Sequence, residues 1–489
     1  MSKDDVLSIA AKRNMFLSPD ALDAIMSDGD PIGFTQTVLS SLIDNPVFVT
    51  KEDIMKFLEG DRALGKSEKT FNPQIKRSLD MKILDGTDIT GNSTCVGDIN
   101  DFKRYFQNRF RVLKRIIERR SDFGQSRQIR DAYSIHDRDV RIIGIVNERK
   151  ITSNGHIMLT IEDDGGDRDS YCNVFISKES DLFGEVITND MVLGFLGKFS
   201  KPKDKAKKGM FIPTGIYKPS VPKSHNWIPS DSQSTVAFLS DVHIGSTTFL
   251  EKSWKKMIAF LKENSDKMQI NYIVFPGDVV DGIGIFPGQE KELVISDIYD
   301  QYKALSEYLK EIPDHIQMAL HPGNHDACRP AEPQPALNKK FIQSFDSNIM
   351  MTGNPVYLKV EGRTILTYHG RSIDDWVSSV QQLTYEEPLN TMQQMVEARH
   401  LAPIYGMKTA LAPESKDYLA IDVVPDIFVS GHVHGYGSRE WRGIRMINAS
   451  TWQSQTDYQK QHNFNPFPGI MPLVHLGTGE VIMKSFMKD

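Results

Sequence analysis

Five short segments in the C-terminal half hold side chains suited to gripping cations and moving protons. They are Ser240-Asp241-Val242-His243, Pro276-Gly277-Asp278, Gly323-Asn324-His325-Asp326, Tyr368-His369-Gly370 and Gly431-His432-Val433-His434-Gly435. Oxygen and imidazole donors with no thiolate among them suit Mn²⁺, Fe or Zn²⁺ better than a sulfur-rich structural zinc site. Taken singly, each segment has an ordinary reading: Asp-X-His and His-X-His pairs decorate surfaces, and Gly, Asn and Asp favour turns. Five in this order, each closing an apolar run, point to one site. Two cations about 3.5–4 Å apart and bridged by a carboxylate acidify a shared water and clamp a phosphate for in-line attack. Histidine is the side chain best tuned to hand the departing alkoxide a proton. The chemistry indicated is two-metal cleavage of a phosphodiester.

The elements that must position these groups come just before them. Val236-Ala237-Phe238-Leu239, Tyr272-Ile273-Val274-Phe275, Gln317-Met318-Ala319-Leu320, Thr364-Ile365-Leu366-Thr367 and Asp426-Ile427-Phe428-Val429 read as buried strands. Short apolar runs ending in Gly/Asp/His clusters, with helical stretches between, predict a layered α/β core with its ligands on loops at strand ends.

The order of motifs resembles the calcineurin-like metallophosphoesterase superfamily, whose core is a two-sheet sandwich flanked by helices. The resemblance implies two divalent ions, Mn²⁺ first, with Fe or Zn²⁺ compatible. Asp241, His243, Asp278 and His434 would hold one, and Asn324, His369 and His432 the other, with Asp278 bridging. It gives His325 the part of the catalytic histidine, and Asp281, in Gly277-Asp278-Val279-Val280-Asp281-Gly282, that of the carboxylate orienting it. Phosphoprotein phosphatases carry an arginine directly after the second aspartate and a glutamate after Gly-Asn-His; here Gly282 and Asp326 stand there, which fits the nuclease branch. Arg371, just past His369, is a candidate substrate contact.

Composition bounds the rest. A chain of 489 residues, 39% hydrophobic, suits a globular protein of roughly two to four domains. A net charge of −6 gives no global sign of nucleic-acid binding, so any such affinity must come from local patches. Cys95, Cys172 and Cys328 are too far apart for a disulfide framework and suit a reducing cytoplasm. There is no signal-peptide pattern and no apolar run near the roughly 20 residues of a membrane span.

Upstream, residues 1–59 read as a helical module. Ser18-Pro19-Asp20 starts one helix through Leu22 and Ile25; Phe34, Val38, Leu39 and Leu42 mark a second; Thr50 with Asp53 opens a third through Ile54, Phe57 and Leu58. Residues 60–98 are polar and read as linker. Within a basic segment, 99–135, Phe102, Phe106, Phe110, Leu113 and Ile117 make one apolar helix face. Lys103, Arg104, Arg109, Arg111, Lys114, Arg115, Arg119 and Arg120 fill the others, either solvated or set against DNA or an acidic partner. Residues 136–225 hold five short strands and suit an OB-type all-β barrel. Its last loop carries Lys201, Lys203, Lys205, Lys207 and Lys208, a hook for a phosphate backbone or a solubility feature.

A barrel of that kind ahead of a metallophosphoesterase core, here residues 232–489, resembles the B-subunits of replicative DNA polymerases. Eukaryotic members have degraded metal sites and act as scaffolds, whereas the small subunit of archaeal family-D polymerase keeps the ligands, as this chain does. Asn448-Ala449-Ser450-Thr451-Trp452-Gln453-Ser454-Gln455-Thr456, Asn465-Pro466-Phe467-Pro468 and Pro472-Leu473-Val474-His475-Leu476 are similar to that family too. The likeness runs over roughly residues 100–489. It implies a cytoplasmic 3′→5′ exonuclease that proofreads single-stranded or frayed 3′ ends of DNA for a separate large catalytic subunit. Two other readings stand beside it: a free-standing enzyme acting on small phosphodiesters, and a non-catalytic scaffold. The Trp452 region and the barrel are the expected docking surface, on the view that a tryptophan-bearing exposed patch anchors interfaces.

Overall fold

Ser18 caps the helix Pro19–Met26 as its side chain predicts, its Oγ accepting the Ala21 amide at 3.2 Å. The computed structural model describes residues 3–12, 15–26, 31, 35, 38–39, 48–51, 54, 79–166, 169–201, 209–461 and 464–487. That helix and Lys3–Lys12 pack with two-residue parallel strands, β1 (Phe16–Leu17) and β2 (Phe48–Val49). Val6, Ala10, Met15, Ala21, Ile25, Val38, Leu39, Val49 and Ile54 form their core. Phe34, Leu42, Asp53, Phe57 and Leu58, which complete the second and third predicted helices, lie outside the described residues.

The described end of the expected linker is not linker. β3 (Met81–Ile83) pairs antiparallel with Val356–Val360, Asp88 accepts the Gly353 amide at 3.1 Å, and Glu414 accepts the Ser93 hydroxyl at 2.6 Å. Three strand residues amid Gly, Thr and Asp are too few to show an alternating pattern in the sequence.

The helix Ile99–Glu118 opens on a capping box between Asp98 and Asp101, and it buries Tyr105, Phe110, Leu113 and Ile117. Phe102 and Phe106 are half-buried, edge-on to Tyr405. Arg109, expected on the basic face, is instead fully buried. Its Nε donates to Asp417 at 2.8 Å, and its terminal nitrogens donate to the Pro403 carbonyl at 2.6 Å and the Tyr105 hydroxyl at 2.9 Å. Arg109 thus ties the helix to the body that carries Asp417, while Lys103, Arg104, Arg111, Arg115 and Arg119 remain exposed.

All five barrel strands form: β4 (Val140–Ile151), β5 (Ile157–Glu162), β6 (Tyr171–Ile176), β7 (Val192–Phe199) and β8 (Phe211–Tyr217). They close in the order β4-β5-β6-β8-β7, with β6 parallel to β8 and every other pair antiparallel. Alternation in β5 sends Ile157, Leu159 and Ile161 inward to meet Val174, Phe195 and Phe211.

The remaining chain makes two facing six-stranded sheets. In the first, β9 (Thr235–Phe238), β10 (Ile270–Pro276), β11 (Gln317–His321) and β12 (Ile349–Met351) run parallel; β18 (Ile470–His475) and β19 (Val481–Ser485) complete it antiparallel. In the second, β13 (Val356–Val360) lies between β3 and β14 (Arg363–Thr367). β15 (Ile427–Ser430) and β17 (Ile444–Ala449) continue it parallel, and β16 (Tyr436–Trp441) forms its edge. Strands covered on both faces must be apolar throughout. Thus Val236 and Phe238 meet Leu358, Ile365 and Val429 between the sheets, while Ala237 and Leu239 meet Trp254 and Leu305 of the outer helices Glu251–Asn264 and Ile298–Lys310. Helices Ile373–Ser379 and Pro388–Ala398 cover the other side. Trp452, expected on a docking surface, is fully buried against Trp254, 5.0 Å between ring centres, so it anchors the core and not an interface. Among the described residues no helix is long and apolar enough to cross a membrane.

Candidate metal centre

β9, β10 and β11 of one sheet and β14 and β15 of the other each end at one of the five motifs. The carboxyl edge of an α/β sheet is where loops are free to converge on a ligand. Three overlapping three-residue sets gather there: Asp241, His243 and His434; Asp278, His369 and His432; and His243, Asp281 and His325. His434 Nε2 lies 3.4 Å from Asp241 Oδ1 and 3.1 Å from His243 Nε2. His369 Nε2 lies 3.2 Å from Asp278 Oδ2 and 3.0 Å from Asn324 Oδ1. The seven implied ligands thus lie in the first two of these sets, with Asn324 joining the second through His369, and Asp278, implied as the bridge, stands with His369 and His432.

Local backbone is bent to this purpose. Asp241, His243, Asp278, His432 and His434 all take positive φ, between 50° and 71°. Only about a few per cent of non-glycine residues do so, and such outliers gather at functional sites. Two glycines make room. A Cβ on Gly431 would collide with Ser240 Oγ and Asp241 Oδ2, and one on Gly323 with Asp278 Oδ1.

The donor set fits cations. Asp241 is fully buried and Asp278 nearly so, yet among the described residues neither meets a lysine or arginine. Buried charge needs a partner or a metal. Here desolvation pushes both carboxyls up, but the histidines beside them outweigh it and hold both down, Asp278 well below the usual range. The same field acts on His369: desolvation opposes its charge, yet Asp278 raises it to about 10. Positive charge is strongly favoured at this spot. His369 Nδ1 faces the Pro276 carbonyl at 2.9 Å and His243 Nδ1 the Asp281 carboxylate at 3.0 Å, which leaves Nε2 of each for a cation.

His325 stands beside this set, its ring 4.7 Å from that of His243. Its amide donates to Asp278 Oδ1 at 2.8 Å, and its Nδ1 meets the main-chain carbonyl of Asp281 at 2.8 Å. Asp281 thus meets His325 by hydrogen bond through its main-chain carbonyl, while its carboxylate bonds His243 and lies within 4.8 Å of a ring nitrogen of His325.

Comparison with known proteins places the arrangement. The B-subunit family of DNA polymerases alpha and epsilon matches residues 236–437, the stretch that carries all the ligands. Relatives described as DNA polymerase II small subunit match nearly end to end. One from Archaeoglobus fulgidus is 37% identical, covering 99% of this chain and 98% of its own length. One from Methanothermobacter thermautotrophicus is 34% identical over 98% and 99%, and one from Thermoplasma acidophilum 31% over 99% and 93%. The chain belongs to the DNA polymerase II small-subunit family.

In this member of the small-subunit family, several supporting residues carry no sequence signal of their own. Asp374 lies 3.5 Å from His432 Nε2; desolvation would raise its carboxyl, but His432 brings it down to about 2. Gln289 and Gln453 donate to the Asp281 carboxylate at 3.1 and 3.2 Å. Gln453, with Thr451, whose hydroxyl meets the Asp241 carbonyl at 2.9 Å, gives the Asn448–Thr456 stretch its place under the site. No metal-binding spacing marks these residues, and only the fold brings them to the site. Arg371 is half-buried, and its charge acts on Glu332, a fully buried carboxyl that desolvation pushes up to about 7. Lys201 is exposed on the barrel; Lys203, Lys205, Lys207 and Lys208 lie outside the described residues.

Proposed function

We propose that this chain is a metal-dependent 3′→5′ DNA exonuclease that proofreads for a separate large polymerase subunit. The observation that carries this reading is the pair of buried carboxylates, Asp241 and Asp278, ringed by imidazole and amide donors and, among the described residues, meeting no lysine or arginine. Asp241, His243, Asp278 and His434 would hold one divalent cation, Mn²⁺ in the first instance, and Asn324, His369 and His432, with Asp278, the second. Bound there, the ions supply Lewis acidity toward phosphate oxygens and offset charge developing in the transition state. The protein's own part is positional. The His325 amide steers one oxygen of Asp278, and the Asp281 carboxylate fixes the tautomer of His243. A carbonyl only accepts, so His325 Nδ1 carries a hydrogen and Nε2 is the nitrogen that exchanges one. His325 in its charged form then gives the Nε2 proton to the 3′ oxygen that departs.

The OB-type connectivity of the barrel and the Lys201–Lys208 loop support a path for the single strand, and Arg371 is a candidate contact. With Trp452 in the core, the barrel is the surface proposed to meet the large subunit. The test is direct. The purified chain with Mn²⁺ and a 5′-labelled single strand should yield products shortened from the 3′ end, and EDTA should stop it. A strand left at full length by a folded, metal-loaded chain contradicts the reading.

A further inference from the structure

The loop Gly282–Gly288 leaves the site directly after Asp281 and shows apolar side chains to solvent. Ile283 and Ile285 are 46% and 38% exposed and Phe286 is half-buried; Val294, whose neighbour Ile295 shares the Gln301 amide with Gly282, is 71% exposed. Such a loop is ordinarily where a fold keeps polar residues. This one is also mounted firmly. Gln301, fully buried, accepts the Gly282 amide at 2.9 Å and donates back to its carbonyl at 3.1 Å. Gln289, also fully buried, accepts the Ile285 amide at 3.0 Å and donates to the Asp281 carbonyl at 2.8 Å. A Cβ on Gly282 would strike the His325 carbonyl, so the loop's first residue sits against the histidine that meets the leaving group. Val294 is tied by its amide to the Gly245 carbonyl at 2.7 Å, two residues past His243.

An aliphatic lip fixed to the rim of a charged, phosphate-seeking centre matches a ligand that is polar along its backbone and flat and apolar beside it. We propose that Ile283, Ile285 and Val294 receive the nucleobase of the nucleotide at the 3′ end, so that the site takes nucleic-acid strands in preference to small phosphodiesters. The lip has no hydrogen-bonding side chain, so it reads the face of a base and not its identity, as sequence-tolerant single-strand sites do. This rests on the exonuclease reading and names the substrate feature that the site grips.

The test separates the two. The full chain, in EDTA so that nothing turns over, is titrated with two labelled single strands of equal length, one ordinary and one with abasic sugars over its last 3′ positions. Cleavage of the ordinary strand in Mn²⁺ is followed in parallel. The chain should bind the ordinary strand roughly tenfold more tightly. The double variant Ile283→Ser/Ile285→Ser should bring the ratio close to one, and Ile283→Leu/Ile285→Leu should keep it. Equal binding of both strands by the unaltered chain overturns the lip as a base contact, even if cleavage proceeds. So does a preference that survives the serine variant. If that variant instead stops co-elution with the large subunit while the preference survives, the lip docks protein and the proposal falls. Base preference without any cleavage in Mn²⁺ supports the lip and contradicts the exonuclease reading alone.

Discussion

At the scale of single residues, the division of labour within Asp281 is the most informative detail. Its carboxylate serves His243 and its carbonyl serves His325, so one substitution separates the two. Asp281→Asn should weaken Mn²⁺ binding at the Asp241–His243–His434 set about 10–100-fold, the usual cost of losing a carboxylate behind a ligating histidine. Calorimetric titration of the metal checks it, and unchanged affinity would mean His243 needs no such support. Glu332 makes a second residue-level prediction. Its folded value of about 7 stands above the usual 4.5, so the buried form is neutral below both values and its stabilising share drains away as pH rises from about 4.5 through 7. Glu332→Gln cannot ionise and still accepts from the Tyr368 hydroxyl, which lies 2.8 Å from Glu332. The variant should match the parent near pH 4 and be more stable near pH 8 by up to about 3 kcal/mol. Parallel melting curves at both pH values would refute this. The ligands were legible in the sequence because each follows its strand at once. Asp374, Gln289 and Gln453 were not, because they stand in no metal-binding spacing and only the fold turns them toward His432 and the Asp281 carboxylate.

At the scale of elements, the Ile99–Glu118 helix shows what periodicity can and cannot say. The three- and four-residue spacing of its apolar residues marked the helix, and Phe110, Leu113 and Ile117 are buried as expected. Nothing local marked Arg109 as buried, because its partner Asp417 lies 308 positions away. Asp417 also meets His400 Nε2 at 2.7 Å, and with Arg109 that contact offsets the desolvation that would raise its carboxyl and holds it far below the usual range. Arg109→Met fills similar space yet leaves that carboxylate buried with one partner fewer. It should cost about 3–5 kcal/mol, read from denaturant midpoints. A loss under about 1 kcal/mol would mean the carboxylate finds other partners. Trp452 teaches the converse: a tryptophan in a polar stretch suggested an exposed anchor, while its neighbours Trp254 and Phe486, distant in sequence, enclose it.

At the scale of the whole molecule, the two sheets matter because they bring five strand ends to one edge. β9, β10 and β11 supply Asp241, Asp278 and Asn324, and β14 and β15 supply His369 and His432. The layered α/β core was readable from apolar runs and its two-sheet form from the family resemblance; the sixth strand of the second sheet, β3, was not. With a net charge of −6, the DNA binding proposed for this chain has to come from local charge. Replacing Lys201, Lys203, Lys205, Lys207 and Lys208 with alanine should flatten the salt dependence of single-strand binding by about one unit of slope for each phosphate the loop no longer neutralises. Identical slopes would leave the loop a solubility feature.

The most direct test compares Asp278→Ala with His325→Ala, measuring bound metal by elemental analysis beside degradation of a labelled single strand in Mn²⁺. Asp278→Ala removes the carboxylate proposed to bridge both ions, so metal content and activity should fall together. His325→Ala should keep its metal and lose roughly 10²–10⁴-fold in rate, as the loss of a proton donor predicts. A His325→Ala chain that cleaves at the parent rate, or that loses its metal, would contradict the account.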